Sequence, residues 1–293
     1  MTRRVYFYRL QFMFIAFALL LPLGTVQPVW GAQGEPDSYS IGLTPVFLDD
    51  QTSFLNDWQF YLTSRLGSSV KFVRRQSYRE ITELLLDGRI DVAWICGYPY
   101  VRNWHKLKLL AVPLFANEPL YQSYLIVPED EQSTEKIADL RDKIFAFSDP
   151  DSNSGYLVPQ VELKKSNIKA SDFFRRTFFT WSHRDVVKAV ANGVAQAGAV
   201  DGYVWETLAL THPKLTGKTR VVRKSDFFGF PPFVSRPNLS SEKFEKIRKV
   251  LLDMANDPGG QQLLKRLNLD GFTEGDDALY YGIRKLVAQL GQE

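Results

Sequence analysis

The sequence predicts an α/β protein in which helices cover parallel or mixed β-sheets. Short apolar segments typical of strands alternate with amphipathic segments typical of helices along almost the whole chain. The first half shows this order most clearly, with a strand at 39–43, a helix at 54–65, a strand at 70–73, a helix at 78–87 and a strand at 91–95. Because each predicted helix separates two strands, the βαβαβ order favours crossover connections and parallel pairing.

The rest of the chain keeps the same two kinds of element. Strands are predicted at 124–127 and 143–147, and a helix follows the second of them. Helices are predicted near 242–254, 261–267 and 277–290. About 45% of the residues are hydrophobic, which is enough for one or two buried cores.

The N-terminal segment is typical of a secretory signal peptide. Residues 1–32 carry three arginines within the first nine positions, continue with an apolar run at 10–23 and end in small residues. The apolar run is short for a membrane span. We expect cleavage near residues 31–32. Cys96 is the only cysteine, so we expect neither a lipid-anchoring cysteine at the cleavage site nor an intramolecular disulfide.

The net positive charge of the chain comes from this segment. The full sequence has 36 Lys and Arg and 33 Asp and Glu, and residues 1–32 contain three arginines and no acid. The remainder is therefore balanced. This balance gives no support for binding to nucleic acid or to acidic membranes.

The segment 147–156 contains the strongest candidate for a binding site. Its sequence FSDPDSNSGY places hydroxyls, an amide and a glycine between a predicted strand and a predicted helix. Free backbone N–H groups and the positive end of the helix dipole meet at such a point, which favours an anion. The alternative is an ordinary N-cap and turn, since the same residue types are the usual capping residues.

Two further residues stand at the ends of predicted elements. His183 lies in the first turn of a predicted helix, where a neutral imidazole would donate to an oxyanion; the alternative is a surface histidine beside a cap. Asp201 ends a predicted strand, where it would accept from a ligand or orient another residue; the alternative is a cap of the next helix. Tyr98 and Tyr100 offer phenolic hydroxyls, with ordinary packing as the alternative.

Several other kinds of site do not fit the sequence. One cysteine and three scattered histidines give no zinc pattern, and 149–160 departs from a calcium loop at the glycine and at the final ligand. No dinucleotide fingerprint, phosphate-binding P-loop or nucleophile elbow is present. A triad of Ser154, His183 and Asp201 has no support from spacing. We therefore expect no metal, no cofactor and no enzymatic activity.

The chain resembles the phosphate, phosphite and phosphonate-binding proteins of ABC importers. The resemblance rests on the serine-rich segment 149–156, on Ser182-His183, on Ala199-Val200-Asp201, and on 88–94 and 257–264, and it covers about 39–290. It implies a two-lobed type II periplasmic-binding-protein fold. In that fold we expect a signal peptide at 1–32, a first lobe at 38–119 plus 234–293, and a second lobe at 120–233.

The resemblance also implies a function and a ligand site. The protein would be a periplasmic, monomeric receptor that closes around a small oxyanion and delivers it to a membrane permease. By position, hydroxyls and N–H groups of the serine-rich segment would cradle the oxyanion, His183 would add a donor, and Tyr100 would approach from the opposite lobe. The full set of expected ligand-binding residues is Ser152, Asn153, Ser154, His183, Tyr100, Tyr98, Asp201 and Tyr203.

The chain departs from the family pattern at three places. Asn153 stands where the family usually has threonine, and Tyr203 and Pro231 stand where members that bind an aminoalkyl phosphonate have acids. The segment 227–233 is unusually aromatic. These differences disfavour an amine-bearing ligand and favour a smaller oxyanion or one with an apolar group. The alternatives are a component that signals to a membrane sensor kinase, and a receptor for a different oxyanion or organic ligand.

Overall fold

The computed structural model describes Thr2, residues 38–45 and residues 52–291. Apart from Thr2, the predicted signal peptide and its cleavage site lie outside the described residues. Within the described part of the chain, no helix is both long enough and apolar enough to cross a membrane.

Strands and helices alternate as the sequence predicts. The described strands are β1 (Ser38–Leu43), β2 (Ser69–Arg74), β3 (Val92–Trp94), β4 (Lys108–Leu114), β5 (Leu120–Tyr121), β6 (Ser123–Pro128), β7 (Ile144–Phe147), β8 (Arg176–Phe179), β9 (Ala197–Asp201), β10 (Thr219–Lys224), β11 (Phe228–Gly229), β12 (Phe233–Ser235) and β13 (Gly271–Thr273). The described α-helices are α1 (Thr52–Leu66), α2 (Tyr78–Leu86), α3 (Gly97–Asn103), α4 (Val158–Lys165), α5 (Ala170–Phe173), α6 (His183–Ala191), α7 (Gly202–Thr211), α8 (Pro213–Thr216), α9 (Ser241–Leu252), α10 (Pro258–Leu267) and α11 (Tyr281–Leu290).

Two mixed sheets organise these elements. The first sheet has the strand order β13-β4-β12-β3-β1-β2, and the second has the order β10-β6-β9-β7-β8. The pairs of β1 with β2 and with β3 are parallel, as are the pairs of β7 with β8 and with β9. The expected α/β class with two sheet-based units is therefore confirmed.

The chain passes between the two sheets twice. It leaves the first sheet after β4 and returns to it at β12, and the short strands β5 and β11 on these two passages pair with each other antiparallel. Phe233 is the first residue of β12 and so lies in the first sheet. The lobe boundaries given above stay predictions.

Each sheet has its own aromatic packing. In the first, the ring centroid of Trp94 lies 4.8 Å from that of Phe233 and 6.0 Å from that of Trp58, and all three side chains are buried. In the second, the rings of Phe145 and Phe174 stack at 4.7 Å. Fully buried aromatic side chains contribute strongly to stability, because each removes a large apolar area from water.

Helices α2 and α6 each begin directly after a serine. Ser77 caps α2 and forms a capping box with Glu80. Ser182 precedes α6, and its side chain makes no capping hydrogen bond. Helix α11 contacts both α3, near the first sheet, and α4, near the second.

Candidate functional site

The serine-rich loop, residues 148–155, connects β7 to a short π-helical turn, Asn153–Leu157, which leads directly into α4. Ser152, Asn153 and Ser154 are all at most 1% exposed. A simple surface turn does not bury three consecutive polar side chains, because each buried polar group must replace its hydrogen bonds to water. The burial of these side chains therefore distinguishes this loop from an ordinary N-cap and turn.

Part of the loop satisfies its own backbone. The hydroxyl of Ser152 accepts from the N–H of Gly155 at 3.0 Å, which is the capping contact of the alternative interpretation. The N–H of Asn153 donates to Sγ of Cys96 at 3.3 Å. Two of the N–H groups expected to cradle an anion are therefore already engaged, and side chains become the main free groups of the site.

Gly155 allows three parts of the site to meet. A Cβ atom at this position would lie 1.9 Å from Oγ of Ser148 and 3.1 Å from Cε1 of His183. No side chain fits in that space. The glycine thus brings the Ser148 hydroxyl and the His183 ring against the loop backbone.

His183 is buried, at 1% exposure, so the alternative of a surface histidine is wrong. Its Nδ1 accepts a hydrogen bond from the backbone N–H of Asp201 at 3.1 Å. Burial lowers the pKa of His183 to about 3, so the imidazole is neutral near pH 7. With Nδ1 accepting, the single ring proton is on Nε2, which makes Nε2 a hydrogen-bond donor.

The carboxylate of Asp201 caps helix α7. Its Oδ1 accepts from the N–H of Tyr203 at 2.9 Å and from the N–H of Val204 at 3.4 Å. Burial raises the pKa of Asp201 to about 7, and the two N–H groups act in the opposite direction. The side chain of Asp201 therefore acts as a helix cap, as the alternative interpretation proposes. The backbone N–H of Asp201 orients the ring of His183.

Two tyrosines expected at the site use their hydroxyls within the protein. The hydroxyl of Tyr203 donates to the carbonyl of Leu267 at 2.5 Å, and the hydroxyl of Tyr100 donates to Asp277. The ring of Tyr98 lies beside Arg102, with the guanidinium carbon 5.8 Å from the ring centroid. The first two hydroxyls thus link elements of the fold in this arrangement.

The structure adds residues that the sequence did not single out. Tyr121 accepts from Nδ2 of Asn153 at 2.9 Å, and its hydroxyl lies near Ser154 without a well-formed hydrogen bond to it. Tyr78, the first residue of α2, is fully buried; burial, followed by the nearby Cys96 and Asp149, raises its pKa well above the usual value. Both hydroxyls therefore stay protonated and are available as donors.

Four buried side-chain atoms around the loop have no hydrogen-bond partner. They are the hydroxyl of Tyr78, Oγ of Ser148, Oδ1 of Asn153 and Oγ of Ser154. Leaving one buried polar atom unpaired costs about 1–3 kcal/mol. Four of them around one loop, beside the Nε2 donor of His183, indicate a place that a polar ligand completes.

The loop is also tied to helices of the first sheet. The N–H of Tyr78 at the start of α2 donates to Asp149 at 3.0 Å. Asp151 accepts from Nε of Arg79 at 3.2 Å and lies 3.7 Å from Nη1 of Arg102. We call this arrangement, in which the loop contacts α2 and α3, the closed arrangement.

Within the described residues, no group of three or more His, Cys, Asp or Glu side chains is placed to hold a metal ion. The unpartnered polar groups of the site are three hydroxyls and one amide oxygen, beside the imidazole of His183. These groups bind an anion by hydrogen bonds rather than by coordination.

The sequence profile of one family covers most of the chain. The family is described as the ABC transporter, phosphonate, periplasmic substrate-binding proteins, and the match runs over residues 41–280. The chain belongs to this family. The resemblance drawn from the serine-rich loop and Ser182-His183 is thereby confirmed.

Individual relatives support the assignment to this family. The chain is 26% identical over 291 residues to the phosphate-import protein PhnD of Mycolicibacterium smegmatis, covering 89% of this chain and 88% of the relative. It is 26% identical over 282 residues to the phosphonates-binding periplasmic protein of Escherichia coli, covering 93% of this chain and 82% of the relative.

Solved structures share the fold. PhnD1 from Prochlorococcus marinus, in complex with methylphosphonate, has a TM-score of 0.79 and 20% identity, covering 88% of this chain and all of that one. A binding protein component of an ABC phosphonate transporter from Pseudomonas aeruginosa has a TM-score of 0.80 and 24% identity, covering 88% of each chain. Ancestral arginine-binding proteins are more distant, with a TM-score of 0.58 for one bound to arginine. The two-lobed type II periplasmic-binding-protein fold is thus confirmed.

Proposed function

We propose that this protein is an exported receptor that captures a small phosphorus oxyanion at the serine-rich loop and delivers it to the membrane permease of an ABC importer. The ligand is of the phosphonate, phosphite or phosphate class. Membership of the family supports the transport role, and relatives named for phosphate import, for phosphonates and for phosphite support the ligand class. The same names and the predicted signal peptide support a periplasmic location.

The observation that carries the proposal is the group of unpartnered buried atoms around the loop. Hydroxyls of Tyr78, Ser148 and Ser154 and Nε2–H of His183 supply donors from both sides of the closed arrangement. An oxyanion with three or four oxygens offers acceptors for all of them. Hydrogen bonds to a charged partner in a site shielded from water are among the stronger ones in proteins.

Binding without catalysis agrees with the geometry at His183. In a serine-histidine-aspartate triad, Nδ1–H of the histidine donates to the carboxylate. Here Nδ1 accepts from a backbone N–H, and the carboxylate of Asp201 caps a helix. The donor on Nε2 then serves to hold an anion.

A thermal-shift screen of the purified protein tests the proposal. The ligands are phosphate, phosphite, methylphosphonate, 2-aminoethylphosphonate, sulfate and methanesulfonate, and a tight ligand raises the melting temperature by mass action. We expect stabilisation by one or more small phosphorus oxyanions and less by the aminoalkyl compound. If no phosphorus compound shifts the melting temperature or gives heat in calorimetry, the proposed ligand class is wrong.

The alternative role is in sensing, where the closed arrangement would engage a membrane sensor kinase. Both roles use the same binding chemistry. Loss of oxyanion uptake by cells after deletion of the gene favours transport, whereas intact uptake with a lost transcriptional response favours sensing.

A further inference from the structure

The atoms that surround the serine-rich loop are not equivalent. The hydroxyls of Tyr78, Ser148 and Ser154 each can donate or accept, whereas Oδ1 of Asn153 can only accept. The other end of the Asn153 amide is already engaged, because Nδ2 donates to the hydroxyl of Tyr121 at 2.9 Å. Oδ1 is buried and has no partner.

An unpartnered acceptor distinguishes ligands that carry an acidic proton from ligands that do not. A fully deprotonated oxyanion presents only lone pairs, so its contact with Oδ1 of Asn153 would be repulsive. A ligand that carries a P–OH group can donate its proton to Oδ1 while its other oxygens accept from the surrounding donors. Completing every hydrogen bond matters most in a buried site, where an unmatched polar atom is costly.

The charges at the site point to the same kind of ligand. Arg79 and Arg102, the two arginines that reach the loop, both face Asp151, and their side chains are 61% and 49% exposed. His183 is neutral, and burial alone shifts its pKa. The cost of burying an ion rises steeply with its charge, so a site built from neutral donors favours one negative charge over two.

We propose that this site selects the singly charged, protonated form of a phosphorus oxyanion, with the ligand P–OH donating to Oδ1 of Asn153. This inference rests on the proposed function and sharpens it. It places hydrogenphosphonates, hydrogenphosphite and dihydrogenphosphate in one ligand class. It disfavours sulfate, which has no proton to donate near neutral pH.

Several titratable or charged groups face the loop and its surroundings. They are Tyr78 and Arg79 of α2, Cys96 before α3, Tyr98 and Arg102 of α3, Tyr121 of β5, Asp149 and Asp151 of the loop, His183 of α6 and Asp201 of β9. Of these, Asp201 has a pKa of about 7, so its ionisation is the protein event that a pH series must distinguish from ionisation of the ligand.

Three ligands with different second pKa values make that distinction. The second pKa increases from phosphite through phosphate to methylphosphonate. Calorimetric titrations between about pH 5.5 and about pH 9 should show affinity falling roughly tenfold per pH unit above each ligand's own second pKa, because only the monoanion fraction binds. Sulfate should bind at least about tenfold more weakly than phosphate at the acidic end.

A variant and a second readout test the role of Asn153. Asn153→Thr replaces the acceptor-only amide oxygen with a hydroxyl that can donate, so the variant should show a flatter pH dependence of affinity and a smaller difference in affinity between phosphate and sulfate. Asn192→Thr, at an exposed position, should leave the pH dependence and the difference between phosphate and sulfate unchanged. In the wild-type protein, titrations in two buffers of different ionisation enthalpy should show uptake of close to one proton per ligand above the ligand's pKa. This readout does not depend on folding of the variant.

The outcomes separate the two proposals. If affinity falls at the same pH for all three ligands, a protein group titrates and the P–OH inference is wrong. Affinity that rises with ligand deprotonation, or binding of sulfate equal to that of phosphate, also overturns it while leaving the receptor function intact. If no phosphorus oxyanion binds at any pH, the proposed function itself fails.

Discussion

The backbone N–H of Asp201 donates to Nδ1 of His183 over 3.1 Å, at a point where both residues are almost completely buried. This single contact sets the tautomer of the imidazole, because the accepting nitrogen cannot carry the proton. It also joins the end of β9 to the start of α6. The orientation of the donor therefore depends on the strand as well as on the histidine.

Replacement of the histidine should weaken ligand binding without abolishing the fold. For His183→Ala we expect a loss of about 1–3 kcal/mol in binding free energy, which corresponds to roughly 5-fold to 150-fold in Kd, because a hydrogen bond to a charged ligand is lost. Calorimetry with a phosphorus oxyanion measures it. His105→Ala, which alters an exposed histidine, is the matched control. Equal Kd values for His183→Ala and wild type would show that the oxyanion binds elsewhere.

His183 should also cause part of the loss of folding stability at low pH. Its pKa is about 3 when folded, against about 6.5 for an unperturbed histidine, so the unfolded state binds more protons within this window. His183 therefore lowers stability as pH falls through the window, by about 1.4 kcal/mol per pH unit. Urea unfolding at several pH values should show that His183→Gln removes this loss. An identical pH slope in the variant would contradict the neutral, buried state of the ring.

Asp201 should act in the opposite direction. Its pKa is about 7 when folded, against about 3.9 for an unperturbed aspartate, so between these values the folded state holds the extra proton. Its contribution to stability therefore falls as pH rises from about 4 to about 7. Asp201→Asn should lose this dependence and become more sensitive to acid than wild type. Asp185→Asn, which alters a partly exposed residue paired with Lys188, should retain the wild-type pH profile of stability.

Local sequence patterns predicted the elements and the loop but not the partners across the fold. The serine-rich loop could be found because its residues are adjacent in sequence. Tyr78 was missed as a site residue because its backbone contact with Asp149 joins positions 71 residues apart. Likewise, nothing near Tyr203 in the sequence shows that its hydroxyl binds Leu267, 64 residues away. Such contacts arise only when two sheets meet.

Gly155 should tolerate no side chain. Gly155→Ala places a methyl group 1.9 Å from Oγ of Ser148 and 3.1 Å from His183, so the loop must move and the donors separate. We expect a loss of stability of about 1–3 kcal/mol and loss of oxyanion binding. Gly282→Ala, where the nearest atom would lie 3.3 Å from Cβ, is the control. Wild-type affinity in Gly155→Ala would show that Ser148 and His183 do not act together.

The ion pairs of Asp151 should favour the closed arrangement. They join the serine-rich loop to Arg79 and Arg102 on helices next to the first sheet, although both arginines are about half exposed or more. Asp151→Asn should therefore weaken oxyanion binding by only about 1 kcal/mol, and added salt should reduce the difference from wild type. Calorimetry at low and high ionic strength measures both effects. A salt-independent difference would mean that Asp151 acts through loop structure instead.

The thiol of Cys96 should report on closure. Its Sγ accepts from the N–H of Asn153 at 3.3 Å, its side chain is buried, and burial raises its pKa to about 12, so the reactive thiolate is scarce. Because Cys96 is the only cysteine, labelling with a thiol reagent follows one site. A bound oxyanion that stabilises the closed arrangement should slow labelling. An exposed cysteine made by Ser171→Cys in a Cys96→Ser background should label rapidly with or without ligand. The thiol and the loop become accessible to the reagent only when the two sheets move apart. Rapid, ligand-independent labelling of Cys96 would therefore contradict a buried contact between the thiol and the loop.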